Sequence, residues 1–273
     1  MKIGVMIPLK KNSDIDMEFA RAKELQLNCC QLSVWDPTLY NPDTAKALRD
    51  ASEKYGVEIT ALWAGYTGPC EWNFTYGPAT IGLVPPAYRF QRLKELYQAS
   101  DFALELGVTD IITHVGFIPI NPDNPEFTGT VAVLRRLCKD MAKRGQWFLF
   151  ETGQETPVTI LRTIEAIGTE NLGINFDTAN LILYGMANSV DALDVFGKYV
   201  RNTHFKDGFY PTCGAKLGCE VPMGDGKADF PAIIAKLKEL NYAGPYIIER
   251  EISGEKQTAD IIRGRDMLLS LLQ

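Results

Sequence analysis

Histidine is scarce in this chain, with two residues among 273, His114 and His204. That count excludes histidine-rich multinuclear metal sites and leaves each imidazole to be explained individually. The six cysteines (Cys29, Cys30, Cys70, Cys138, Cys213 and Cys219) form no C-x-x-C pair, and no histidine is placed to complete a zinc site. Without a secretory signal they read as reduced thiols. No stretch approaches the about 18 consecutive apolar residues of a membrane span. The apolar run in Met1-Lys-Ile-Gly-Val-Met-Ile-Pro8 is too short for a signal peptide, so a cytoplasmic location is expected. No Lys/Arg-rich segment exists and the net charge is −6, which argues against a nucleic-acid partner. Glycine is missing from Ile7-Pro-Leu-Lys-Lys-Asn12, where an open doubly wound sheet would carry its phosphate-binding fingerprint.

What is present is a regular alternation. Short apolar runs alternate with longer stretches of helical period, the pattern of repeated βα units around a parallel sheet. Eight units can be counted, with strands expected at 3–8, 29–34, 58–63, 110–114, 147–151, 172–177, 200–206 and 245–249. Helices are expected from about 14, at 42–55, 87–106, 128–144, from 156, at 190–196 and 229–240, and at the C-terminus. Gly107 is placed as a helix C-cap and Asp229 as an N-cap. The segment 208–228 is expected to be a loop. With no linker or break in composition, the fold expected is α/β, a single (β/α)8 TIM barrel spanning 1–273 as one domain.

Four consecutive units end their strands on ionisable residues: Glu151, Asp177, His204 and Glu249, spaced 26, 27 and 45 apart. In a barrel the C-terminal strand ends meet around one mouth, so these groups converge. Three carboxylates in a partly buried cup repel one another, and a divalent cation is the simplest way to hold them. The mixed oxygen and nitrogen donors suit Mn²⁺, Co²⁺, Mg²⁺ or Zn²⁺.

Phe150-Glu-Thr-Gly-Gln-Glu155, Asn175-Phe-Asp-Thr-Ala-Asn180, His204-Phe-Lys-Asp207, Pro222-Met-Gly-Asp-Gly226 and Tyr246-Ile-Ile-Glu-Arg-Glu251 carry a resemblance over essentially the whole chain. The sequence resembles the xylose isomerase-like TIM barrels, the sugar phosphate isomerase/epimerase group that includes D-tagatose and D-psicose 3-epimerases, inosose dehydratases and the endonuclease IV branch. The resemblance implies that Glu151, Asp177, His204 and Glu249 bind one divalent metal ion. It further implies that Glu151 and Glu249 face the substrate carbon from opposite sides as an acid/base pair. The expected activity is epimerisation or isomerisation of a small sugar or ketose by proton abstraction through a metal-stabilised enediolate. An inosose-dehydratase-like lyase on the same metal, or a barrel that only binds metal and sugar, are the alternatives. A homo-oligomer, dimer or tetramer, is the habit of the family.

The chain also departs from these relatives. Asn180 stands where the DNA-repair branch has a histidine, which counts against endonuclease activity. Glu155 lies four residues after Glu151, not at the spacing of the ketose epimerases' substrate glutamate. Substrate contacts are expected from His114, Trp63, Glu155, Asn180 and Asp207, with Trp63 first among the aromatics Trp35, Trp63, Tyr66, Trp72 and Phe74 near the ends of strands two and three. Lys206 and Asp207 are expected as an ion pair beside the metal or as a proton relay. Arg250 and Arg89 are candidates to anchor a phosphate or carboxylate, with a salt bridge the role expected of Arg250.

Overall fold

Eight parallel strands close into a barrel in the computed structural model, which describes residues 1–273. They are β1 (Ile3–Leu9), β2 (Cys29–Val34), β3 (Glu58–Ala64), β4 (Asp110–Thr113), β5 (Trp147–Glu151), β6 (Leu172–Asp177), β7 (Val200–Phe205) and, after an excursion, β10 (Tyr246–Ile248). Ring closure comes from β1 pairing with both β2 and β10. The excursion is a small antiparallel ribbon, β8 (Asp207–Phe209) with β9 (Cys219–Val221), where a loop had been expected. Its strands are three residues long and contain no apolar alternation, so pairing rather than pattern defines them.

The helices pack their apolar stripes on the outer face of the barrel, with Phe19, Leu48, Leu96, Leu134, Ile164 and Ile234 all in one buried cluster with the strands. The helix expected from 128 begins at Pro125, because Asn124 caps it by accepting from the Glu126 amide and proline suits the first turn. No helix is long and apolar enough to cross a membrane.

Two buried side chains shape the loops at the barrel mouth. Arg92, 0% exposed, donates to the carbonyls of Pro69, Thr80 and Gly82 at 2.7–2.8 Å and lies over the rings of Tyr66 and Tyr88. It thereby folds the long segment after β3, which carries Trp72, back onto the barrel. Asp207 does the same for residues 222–228. Its two carboxylate oxygens accept from the amides of Gly208, Gly224, Gly226 and Ala228.

Candidate active site

Side chains of a strand alternate in direction, so within β6 Asn175 and Asp177 share the inner face, and within β7 Asn202 and His204 do. Register then decides which groups meet. Asp177 lies opposite His204, Asn175 opposite both Glu151 and Asn202, and a register shift at Ile174/Asn175 sets this alignment. One side of the interior, from β3 to β5, is apolar, built from Ala61, Trp63, Ile112 and Leu149. The other holds a buried layer of amides, Gln31, Asn175 and Asn202, directly beneath the ionisable residues.

Glu151, Asp177 and His204 converge at the top of this layer, with one ligand atom from each all lying within 4.8 Å of one another. His204 Nδ1 is 3.3 Å from Glu151 Oε1, 3.8 Å from Asp177 Oδ2 and 3.1 Å from Glu249 Oε2. Glu249 therefore reaches the imidazole from just past β10 but is not one of that tight trio. Its Oε2 also lies 3.0 Å from Lys206 Nζ.

The donor set fits a divalent cation on two counts. Asp177 Oδ2 and His204 Nδ1 are buried without a hydrogen-bond partner, and both face the centre of the cluster. The remaining atoms are already occupied. Asp177 Oδ1 accepts from the amides of Ala179 and Asn180 at 2.7 Å, and Glu151 Oε2 accepts from Asn175 Nδ2 at 2.6 Å and Trp63 Nε1 at 3.2 Å. His204 Nε2 lies 2.8 Å from Gln31 Oε1. Gln31 Nε2 donates to Asn175 and Asn202, which leaves its oxygen as the acceptor for an Nε2–H and turns Nδ1 to the cluster, where Glu151 and Glu249 outweigh burial and raise the imidazole well above its usual range.

One buried ammonium offsets part of the negative charge in the cup. Lys206, 2% exposed, sits 3.3 Å from Asp177, 3.0 Å from Glu249 and 2.8 Å from Glu251. Burial alone would push the Asp177 and Glu249 carboxyls up, but Lys206 and His204 beside them outweigh it and hold both below the usual carboxylate range. Burial lifts Glu151 above that range despite His204. Burial, reinforced by Lys206, pushes His114 down to about 3, so it is neutral. Its Nδ1 lies 3.1 Å from Gln154 Oε1, while Gln154 Nε2 donates to the Tyr184 hydroxyl, so His114 donates from Nδ1 and keeps Nε2 as an acceptor.

A cavity of about 370 Å³ opens over this cluster, lined by Glu151, His204 and Glu249 among others. Of the expected substrate contacts, His114, Trp63 and Asn180 line it, and Asn180 Nδ2 also reaches Glu151 at 3.4 Å. Two expectations are corrected. Asp207 spends both oxygens on the loop amides, so neither faces the cavity. Glu155, four residues past its strand end, is buried in the turn before the next helix with neither oxygen hydrogen-bonded, and does not line the cavity; burial drives its carboxyl well above the usual range. Lys206 pairs with the cup carboxylates rather than with Asp207. Arg250 forms the expected salt bridges, with Glu220 and Asp260, and Arg89, a candidate anion anchor, pairs with Glu126 instead and does not line the cavity. Gln31 and Glu251 were not singled out from the sequence. The signal for Gln31 was a lone amide amid an otherwise apolar stretch, Cys-Cys-Gln-Leu.

A family model described as xylose isomerase-like TIM barrel matches residues 19–271. The xylose isomerase domain protein from Planctomyces limnophilus is 33% identical, with 98% of this chain and 96% of that one covered and a TM-score of 0.91. A xylose isomerase-like TIM barrel protein from Mycobacterium smegmatis, solved in complex with magnesium, is 17% identical over 99% of this chain and 96% of that one, with a TM-score of 0.74. D-Psicose 3-epimerase from Clostridium cellulolyticum H10, solved with D-tagatose, is 15% identical over the full length of both chains, with a TM-score of 0.72. The latter two show a shared fold.

Proposed function

The chain belongs to the xylose isomerase-like TIM barrel family, and from that membership we propose that it is a divalent-metal-dependent isomerase or epimerase of a small sugar or ketose. The observation that supports this best is the trio of Glu151, Asp177 and His204, with Asp177 Oδ2 and His204 Nδ1 turned inward without a hydrogen-bond partner, at the floor of a cavity that Glu249 also lines. Those four residues would hold the ion, taken from Mn²⁺, Co²⁺, Mg²⁺ or Zn²⁺. When bound, such a cation acts as a Lewis acid on a carbonyl and makes the neighbouring C–H more acidic.

The chain's own groups do the rest. One of Glu151 and Glu249 takes the proton from the carbon beside the carbonyl, and the other returns a proton. Return to the opposite face of that carbon inverts it; return to the adjacent carbon isomerises the sugar. Trp63 and Asn175 hold one oxygen of Glu151 by hydrogen bonds, which fixes the orientation of the carboxyl. His114, neutral with Nε2 free, accepts from a substrate hydroxyl, and Asn180 lies beside Glu151 as a second polar contact.

Incubation in D₂O with a panel of ketoses and each metal tests the reading. Solvent deuterium on a sugar carbon is the expected result. Net loss of water without epimer or isomer would assign a lyase instead, and binding with neither exchange nor loss would leave a sugar-binding barrel.

Gln31 is a positioning residue in this scheme, because it sets the His204 tautomer. Gln31→Leu is expected to weaken binding of the divalent ion about 10- to 100-fold by calorimetry. An unchanged affinity would show that the imidazole needs no help from Gln31.

A further inference from the structure

We propose, on the footing of the sugar-isomerising reading above, that the substrate is a neutral saccharide with two rings, the second stacked on an outer aromatic subsite made by Trp35 and Trp72. The arrangement of the indoles is the first observation. Trp63 Nε1 lies 3.2 Å from Glu151, the Trp35 ring centre is 5.1 Å from that of Trp63, and Trp72 stands edge-on to Trp35 at 6.2 Å. Exposure rises along this strip, from 6% at Trp63 to 38% at Trp35 and 41% at Trp72. An aromatic surface thus leads from the reacting centre out to the mouth. Loop anchoring accounts for only part of it. Trp35 is seated against Gly65, where a Cβ would fall 2.5 Å from a ring carbon, yet more than a third of the residue stays open. Aromatic faces left open beside a polar centre suit the apolar C–H faces of sugar rings.

Size is the second observation. The cavity of about 370 Å³ equals roughly twelve waters at about 30 Å³ each, and a single hexose fills about half of that. A monosaccharide placed at Glu151 and Glu249 would leave about half of that volume open.

The third is charge. Two cations line the cavity, Lys206 and Arg250. Lys206 is committed to Asp177, Glu249 and Glu251, and Arg250 to Glu220 at 2.7 Å and Asp260 at 2.8 Å. No side-chain cation is left to receive a phosphate or a carboxylate, while Glu151, Glu249 and Glu251 face the ligand. An anionic sugar meets these carboxylates with no free side-chain cation to pair with, which disfavours it.

The test is a calorimetric titration of the Mn²⁺-loaded protein with D-fructose, fructose 6-phosphate and three ketose disaccharides, turanose, lactulose and palatinose. At least one disaccharide is expected to bind about tenfold more tightly than fructose, and fructose 6-phosphate no more tightly. In Trp72→Ala and Trp35→Ala, each checked by thermal melting, the disaccharide-to-fructose ratio is expected to fall toward one. Equal binding of fructose and all three disaccharides, a ratio unmoved in both variants, or tighter binding of the phosphate would overturn the proposal. If these appear while fructose still exchanges deuterium, only the two-ring inference falls; if nothing in the panel binds or exchanges, the isomerase reading falls with it.

Discussion

Glu249→Gln is expected to lower deuterium incorporation from D₂O into substrate by about 10³-fold or more at saturating metal, within the range for loss of a general acid or base. The substitution keeps the shape of the side chain, so its contacts with His204 at 3.1 Å and Lys206 at 3.0 Å lose charge rather than space. What disappears is the ability to carry a proton. Because Glu249 also stands next to the metal cluster, affinity for the ion is measured alongside, and the exchange rate is compared only at full occupancy. An exchange rate within tenfold of wild type would remove Glu249 from the acid/base pair and leave Glu151 to act with another group.

Lys206→Met is expected to cost about 3–5 kcal/mol of folding stability at neutral pH, the size found when one partner of a buried ion pair is deleted. The ammonium is 2% exposed, and of its three carboxylates Asp177 is fully buried, Glu249 17% exposed and Glu251 60% exposed. Removing it leaves the first two charged, close together and without their main counterion. The pH dependence follows from the direction of their shifts. Asp177 and Glu249 are depressed in the folded protein, so they contribute stability above the pKa of the unfolded carboxyl and lose it as pH falls through the folded one. Without Lys206 that contribution is absent, so the deficit of the variant should be widest near neutrality and narrow as pH falls through the ordinary carboxylate range near about 4. Added Mn²⁺ should recover part of it by supplying positive charge to the same oxygens. Urea denaturation at several pH values, with and without Mn²⁺, reads all three effects. A deficit below about 1 kcal/mol at neutral pH would mean that Lys206 balances less charge than its distances imply.

The barrel was legible in the sequence because each βα unit advertises itself locally. An apolar run such as Trp147–Glu151 followed by Pro157–Ile167 with its Thr156 cap needs no distant partner to be recognised. Strand boundaries came out within a residue or two, as with His114, which lies just beyond Asp110–Thr113. The ribbon β8–β9 escaped because three-residue strands held by a pinned aspartate have no period to detect. The strand-end groups were legible for a topological reason: ends of parallel barrel strands share one mouth, whatever their separation in the chain.

Which of those groups face one another was not in the sequence. Asp207 and Glu155 sit as near to strand ends as the residues that do line the cavity, yet one ties a loop and the other is buried in a turn. The amide layer beneath His204 and the three-way pairing of Lys206 draw on β2, β6, β7 and the segment after β10, separations of tens to more than a hundred residues. The sequence by itself determined the repeat, the barrel and the candidates at its mouth, because periodicity and capping act over one turn or one strand. Register and closure decided the tautomer of His204, the partners of Lys206 and the aromatic strip from Trp63 to Trp72, because those depend on which strands lie side by side and on the angle at which each side chain enters a shared, desolvated interior.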